Sequence, residues 1–274
     1  MIVTQDAPWV PADIDITVPS VARVYDYLLG GAHNFAADRA LGEKIRAMEP
    51  TVFESARLVR SALTRMVRHM VGSGIRQFLD LGSGIPTVAN VHEIAHSVDP
   101  GCRVVYVDID PIAVAHSELL LMDTDHADVL RADVRDPDAV LGSPQVTAQL
   151  NLNEPVGLLF MMVLHYLGDT DDPVGVVRRY RDAVPRGSRL AITHLGHGLG
   201  AENKSELDDA MRSSGNRDQL HQRTRDEVLA LFGDWRLERP GLVSAGGWRP
   251  DIPTDLSAFT ALDRDLHAGL ARKP

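Results

Sequence analysis

The chain has 274 residues, a formal net charge of −10 and a single cysteine, Cys102. This length suits one large domain, and a single cysteine excludes an internal disulfide and any multi-cysteine zinc site. The acidic balance argues against binding nucleic acid or anionic lipid through the overall charge. No apolar run is long enough to span a membrane, and the N-terminus lacks the basic start and apolar centre of a signal peptide. We therefore expect a cytoplasmic protein without nucleic-acid or membrane partners.

The N-terminal part of the chain has a helical pattern. Apolar residues recur at helical spacing over residues 20–31, where a serine precedes the run and two glycines end it. Further helices are predicted over residues 36–48 and 52–70, the second with one apolar stripe. We expect residues 1–70 to form a helical extension in front of a larger domain over residues 71–274.

From Gly72 onward, short apolar runs alternate with stretches of helical character, which predicts an α/β fold with helices on both faces of a parallel sheet. The predicted strands lie at residues 78–81, 104–108, 129–130, 156–163 and 189–192. The predicted helices lie at residues 88–98, 111–122, 136–141 and 172–183. A helix from Thr224 and two last strands, at residues 235–243 and 266–272, follow a glycine-rich loop. In such a sheet all parallel strands end at one edge, where ligands bind.

The most informative segment is the turn from Asp80 through Gly82 and Gly84, between a predicted strand and a predicted helix. Glycines there permit a tight turn and a close approach of ligand to backbone. A dinucleotide site would need a third glycine where Thr87 stands. A ligand with an amino-acid part and an adenosine part fits better, because the carboxylate of Asp80 can receive an ammonium group. An ordinary glycine-rich turn is the third interpretation.

Acidic residues also end the next two predicted strands. Asp108 lies 24 positions after Gly84, and a carboxylate there can accept both hydroxyls of a ribose. Asp133 can accept from an adenine amino group while Val134 covers the ring, or it can serve as a simple turn residue. Asp110 is predicted to cap the following helix. Acids at three successive strand ends are explained better by one bound nucleoside than by coincidence.

With these motifs, the sequence resembles the class I S-adenosylmethionine-dependent methyltransferases. More closely, it is similar to the actinobacterial S-adenosyl methyltransferase family, formerly a domain of unknown function. The resembling segments lie at residues 19–31, 34–35, 38–39, 77–84, 90–93, 106–111, 163–165, 187–188, 248–250 and 272–274. The resemblance implies a Rossmann-like fold with a seven-stranded, mostly parallel sheet and antiparallel last strands. It implies S-adenosyl-L-methionine as cofactor and supplies no substrate.

The resemblance also implies a set of cofactor-binding residues. The turn should cradle the methionine part, the acid after the second strand should hold the ribose, and the end of the fourth strand should line the methyl side. These positions are Asp80, Gly82, Ser83, Gly84, Asp108, Ile109, Asp133, Val134 and Met161.

Polar and aromatic residues in the first helical segment give two interpretations. They belong either to an amphipathic helix capped by two glycines, or to a lid that closes over the cofactor. In the lid, Tyr25 or Tyr27 stacks on the cofactor and Asn34 binds the methionine carboxylate. The family resemblance favours the lid.

Two histidines follow predicted strands. His165 is the better candidate for a general base, because it follows the fourth strand and its ordinary pKa allows proton uptake near neutral pH. A histidine bonded to a loop backbone is the alternative, and His194 is a weaker candidate. His92 and His96 share a helix face that packing explains better than a metal does. We therefore predict no metal site.

Three functions compete at this point. The first is methyl transfer from S-adenosylmethionine to a small-molecule acceptor. The second is a non-catalytic, S-adenosylmethionine-binding regulatory protein, which would keep the same motifs. The third is an NAD-linked oxidoreductase, which Thr87 in place of the third glycine disfavours.

Overall fold

The computed structural model describes residues 15–87, 89–215 and 218–274. Within these ranges the chain begins with α1 (Val21–Leu28), α2 (Ala36–Met48) and α3 (Val52–Gly72). The parallel strands are β1 (Gln77–Leu81), β2 (Arg103–Asp108), β3 (Ala127–Arg131), β4 (Gly157–Met161) and β5 (Arg189–Leu195). The helices among them are α4 (Val91–His96), α5 (Pro111–Leu121), α6 (Pro137–Leu141), α7 (Pro144–Gln149) and α8 (Pro173–Ala183). The C-terminal elements are α9 (Ala201–Ser213), α10 (Arg225–Phe232), β6 (Arg236–Leu237), β7 (Val243–Ser244), α11 (Ala261–Asp265) and β8 (Leu266–Arg272).

These strands form one sheet in the order β3-β2-β1-β4-β5-β8-β6, and β7 pairs with β8 as well. Strands β1 to β5 are parallel, whereas β8 runs antiparallel to β5. The strand order reverses between β1 and β4, which creates the crevice where open α/β sheets bind ligands. The predicted α/β fold, with antiparallel strands at the C-terminus, is confirmed.

Side chains of the central strands alternate between two apolar cores. Phe78 and Val104 belong to the core that α3, α4 and α5 cover, and Leu79 and Val105 belong to the core under α8 and α10. Every residue of β1 is buried, as expected for a strand covered on both faces. This burial fixes the register of β1 and therefore the position of the turn that follows it.

The helix after the glycine turn begins later than predicted. The prediction placed its start at residue 88, which lies outside the described residues, whereas α4 begins at Val91. Ala89 has a φ of 54°, which no helix accepts, so the helix starts after Asn90. A capping box between Asn90 and Glu93 fixes this start.

The C-terminal third contains more regular structure than predicted. The strand predicted at residues 235–243 is two short strands, β6 and β7, separated by a turn in which Gly241 has a φ of 94°. The predicted loops contain α9 and α11. In α9 only Leu207 and Met211 are buried, so its sequence lacks the apolar stripe that marks a helix. None of the described helices is long and apolar enough to cross a bilayer.

A buried ion pair attaches the N-terminal helices to each other. The guanidinium of Arg23 donates to the carboxylate of Asp38 at 3.0 Å, and both side chains are almost fully buried. The same carboxylate accepts the backbone N–H groups of Ser20 and Phe35. The hydroxyl of Ser20 donates to Asp110, which follows β2. The start of α1 is thereby held against the edge of the sheet where the parallel strands end.

Candidate functional site

A cavity of about 520 Å³ lies where the parallel strands end. Its floor includes residues that follow β1, β2, β3 and β4, and its roof includes residues of α1 and α3. The predicted site residues that line it are Tyr25, Asp80, Gly82, Ser83, Gly84, Asp108, Ile109, Asp133, Val134, Met161 and His165. The topology therefore brings together positions that the sequence separates widely.

The glycine turn after β1 has two positions that require glycine for different reasons. Gly82 has a φ of 74°, and a Cβ there would lie 2.6 Å from Cβ of Val163. Gly84 has a φ of 67°, and a Cβ there would meet no atom within 4 Å. The first glycine lets β1 and β4 pack closely, and the second leaves open space on the cavity side.

The carboxylate of Asp108 organises the turn from the end of β2. It accepts the backbone N–H of Gly84 at 2.7 Å and that of Asp110 at 2.8 Å. Burial raises the pKa of Asp108 to about 6, although both backbone N–H groups favour the ionised form. Asp110 caps α5 through the N–H groups of Ile112 and Ala113, as predicted.

The carboxylate of Asp80 lies next to that of Asp108 and is 4% exposed. Burial raises the pKa of Asp80 to about 7, the guanidinium of Arg60 lowers it, and the carboxylate of Asp108 raises it. The carboxylate of Asp108 thus adds to the effect of burial in disfavouring ionisation of Asp80. A bound cation would remove this penalty, so the pair is suited to a positively charged ligand.

The end of β3 contributes one acid and an apolar wall. The side chain of Arg135 donates from Nε to the Oδ2 atom of Asp133 at 2.9 Å. Burial opposes ionisation of Asp133, but these hydrogen bonds outweigh it and lower the pKa. Asp133 also accepts the backbone N–H of Arg135, so it is a turn residue as well as part of the cavity wall. Ile109 is 57% exposed and Val134 is buried, and together they offer apolar surface beside the acids.

Two of the proposed lid residues, Tyr27 and Asn34, are not part of the cavity lining. Tyr25 lines it, and its hydroxyl donates to the carbonyl of Ala56 at 3.4 Å. Tyr27 points to the other side of α1, where its hydroxyl donates to Glu43 and its ring packs edge-on against Phe53. In a helix, residues two apart face in different directions, so both tyrosines cannot reach one ligand.

Asn34 is buried in a polar network centred on Asp26. Its Nδ2 donates to the carboxylate of Asp26 at 2.7 Å and to the carbonyl of Gly31 at 3.0 Å. The hydroxyl of Thr87 donates to the same carboxylate at 2.8 Å, and the backbone N–H of His33 donates to it at 2.9 Å. The polar residues of this segment therefore connect α1 to the segment after the glycine turn. Sequence reasoning missed this role, because nothing local pairs Asp26 with Thr87.

His165 follows β4 and lines the cavity as predicted, and it is 3% exposed. Burial lowers its pKa well below the usual value, and His194, Arg223 and His221 lower it further. Its Nδ1 has no hydrogen-bond partner among the described residues. A neutral imidazole can accept a hydrogen bond, but a lowered pKa reduces its strength as a base.

The other histidines are engaged elsewhere. His194 is bonded to Arg223, at 3.0 Å, and burial lowers its pKa to about 4. His92 is bonded to the hydroxyl of Tyr106 and His96 to the carbonyl of Cys102. In the ranges that the structure describes, no group of three or more potential ligands is arranged to hold a metal ion.

The residues of the cavity fit S-adenosylmethionine on three observations. The hydroxyl of Ser83 is buried without a partner among the described residues, so it is free for the methionine part. Asp80 and Asp108 suit a cationic ligand with an ammonium group and ribose hydroxyls. Ile109 and Val134 can cover an adenine ring. The sheet order and this pocket define a class I S-adenosylmethionine-dependent methyltransferase.

Comparison with known proteins gives the family. The sequence model of the family described as S-adenosyl methyltransferase matches residues 7–274. The chain belongs to this family, and S-adenosyl-L-methionine is its cofactor. No curated protein matches the chain.

Solved structures agree. A crystal structure from Thermobifida fusca, provisionally assigned as a methyltransferase, has a TM-score of 0.90 and 41% identity, covering 97% of this chain and 99% of that one. A DUF574 family protein from Streptomyces avermitilis has a TM-score of 0.88 and 35% identity, covering 95% of this chain and 99% of that one. Geranyl diphosphate methyltransferase in complex with S-adenosylmethionine has a TM-score of 0.50 and 17% identity, covering 80% of this chain and 90% of that one, which is a likeness of fold.

Proposed function

We propose that this methyltransferase acts in the cytoplasm on a small-molecule acceptor, which binds in the cavity between the strand ends and the N-terminal helices. One observation carries the proposal: the cavity beside the glycine turn continues beneath α1 and α3. An acceptor there lies beside the turn that we propose binds the cofactor, and a site that aligns the reactants favours in-line transfer. Within the predicted extension of residues 1–70, the described part from residue 15 onward then acts as the cover of the site, and the domain over residues 71–274 holds the cofactor.

We assign the cofactor contacts by chemistry. When bound, S-adenosylmethionine supplies an activated methyl group on a sulfonium ion. Asp80 would receive the ammonium group, Asp108 the ribose hydroxyls, and Gly82 to Gly84 would lie against the methionine part. Met161 would line the methyl side, and Asp133 would accept from the adenine amino group. Protein groups thus bind, orient and exclude water, and the activation comes with the cofactor.

His165 is proposed to accept a hydrogen bond from the acceptor as a neutral imidazole. Its burial keeps the ring neutral at the pH where the acceptor must bind. We expect the ring nitrogens of His165 to keep the ¹⁵N chemical shifts of the neutral form as the pH falls through the range in which an ordinary histidine titrates. A midpoint at the ordinary value of about 6.5 would contradict this role of burial.

Cofactor affinity is expected to rise with pH. The pKa values of about 7 for Asp80 and about 6 for Asp108 belong to the unliganded protein, and a cationic ligand binds the ionised carboxylates. Binding therefore releases protons below pH 7, so affinity falls as pH falls. We expect a loss of about twentyfold between pH 8 and pH 6, about tenfold from Asp80 and about twofold from Asp108, by calorimetry with S-adenosylhomocysteine. Asp80→Asn should flatten this dependence, and a wild-type affinity independent of pH would refute the assignment.

Cofactor titration tests the proposed function against its alternatives. We expect saturable binding of S-adenosylmethionine and S-adenosylhomocysteine and no comparable binding of NAD. Tight NAD binding instead would favour the oxidoreductase. A regulatory protein would bind the cofactor yet transfer no radiolabelled methyl group to any member of a small-molecule extract, whereas the proposed enzyme labels at least one.

A further inference from the structure

We propose that the methyl acceptor is a predominantly apolar molecule with one polar group, and that its apolar body fills the end of the cavity away from the glycine turn. We call this end the apolar chamber. Its walls include Leu28, Val59, Leu63, Leu199, Leu207 and Leu262. The inference rests on the proposed function, and it specifies the substrate class.

The walls of the apolar chamber come from elements far apart in the chain. They are contributed by α1, α3, the turn at residues 197–199, α9 and α11. Each of the six named side chains is at most 7% exposed, and all except Leu28 also belong to the apolar core that contains Phe78. These core side chains also border the cavity, so part of their apolar surface faces a space that a ligand can cover.

Two polar side chains that line the cavity from α3 and the segment before it are paired with other residues. The hydroxyl of Ser55 donates to Asp263 at 2.5 Å. A carboxylate oxygen of Glu49 accepts the hydroxyl of Thr51 at 2.7 Å. A polar acceptor body would therefore bury its own polar atoms against leucine and valine, which costs roughly 1–3 kcal/mol for each unpaired group.

Groups able to bond a ligand line the cavity near the strand ends. His165 lines the cavity with one ring nitrogen unpartnered among the described residues, and Tyr25 and Arg60 line the same region. The reacting polar atom of the acceptor belongs there, beside the strand ends. Water fills apolar cavities poorly, so an aliphatic ligand is the natural occupant of the remainder.

The test uses 1-octanol, an aliphatic chain with one hydroxyl, titrated by calorimetry into the full chain saturated with S-adenosylhomocysteine. We expect one saturable site with a negative heat-capacity change, and no binding of glycerol at the same concentrations. Absence of 1-octanol binding to protein that binds S-adenosylhomocysteine would overturn the apolar assignment alone. Absence of S-adenosylhomocysteine binding would instead refute the proposed function.

Matched variants locate the site. Leu207→Gln places an amide in the chamber wall, and Met211→Gln places one in the same core one turn further along α9, outside the cavity lining. We expect Leu207→Gln to weaken 1-octanol binding at least tenfold and Met211→Gln to leave it within twofold. Val59→Thr and Val67→Thr repeat the comparison on α3 with smaller changes of shape, for use if the glutamine variants do not fold. Equal losses within a pair would contradict the proposal.

Discussion

Replacement of Gly82 by alanine is expected to lower both the free energy of unfolding and the affinity for cofactor. The added Cβ would lie 2.6 Å from Cβ of Val163, so the turn or the end of β4 must move. A residue with a Cβ at a φ of 74° also costs about 1–2 kcal/mol. Overpacking adds about 1–3 kcal/mol. Thermal unfolding and calorimetry with S-adenosylhomocysteine measure the two losses.

Alanine variants at two other glycines distinguish the cost of backbone strain from the cost of close contact. Gly74, between α3 and β1, has a φ of 95° and open space around it, so Gly74→Ala should cost strain alone and leave the affinity unchanged. Gly84→Ala should cost the same strain, but its methyl group would occupy the open side of the turn and weaken cofactor binding. If Gly82→Ala behaved like Gly74→Ala, close packing against Val163 would not be what requires glycine there.

Asp108→Ala is expected to weaken cofactor binding by about 1.5–3 kcal/mol, which is the value of hydrogen bonds to a charged acceptor. The carboxylate is the proposed acceptor for the ribose hydroxyls, and it also holds the N–H of Gly84 at 2.7 Å. Removing it therefore loosens the turn and deletes a ligand contact at once. Asp108→Asn keeps one acceptor oxygen and should fall between the wild type and the alanine variant.

The control for Asp108 is Asp128→Ala. Asp128 lies on the neighbouring strand β3, and its carboxylate bonds the adjacent backbone N–H of Val129 outside the cavity lining. Its removal deletes a strand acid and leaves the site intact, so cofactor affinity should not change. An unchanged dissociation constant for Asp108→Ala would refute its assignment to the ribose.

The acids of the site were predictable because they follow strands. A strand buried on both faces is a continuous apolar run, so its end is visible in the sequence, and parallel strands end at one edge. Asp80, Asp108 and Asp133 were placed correctly at the cavity by this rule. Their protonation was not predictable, since the raised pKa of Asp80 depends on burial by distant segments.

The predicted lid is where the sequence was least informative. Tyr25 and Tyr27 were both offered as stacking residues, but only Tyr25 faces the cavity. Helical geometry alone separates them, since residues two apart lie on different faces. The role of Asn34 depends on its contact with Asp26, and sequence spacing does not reveal which side chains share a buried network.

The sequence by itself determined the order of helices and strands over the first two thirds of the chain, apart from the short helix α7, and it located the glycine turn and the acids that we propose hold the cofactor. Those features follow from local patterns: apolar periodicity, glycine at turns and caps at helix ends. Only the tertiary structure decided what covers the strand ends. The apolar chamber combines side chains from α1, α3, α9 and α11, and α9 has too few buried positions to be predicted. Such a cavity depends on contacts between distant segments, whose packing no local pattern specifies.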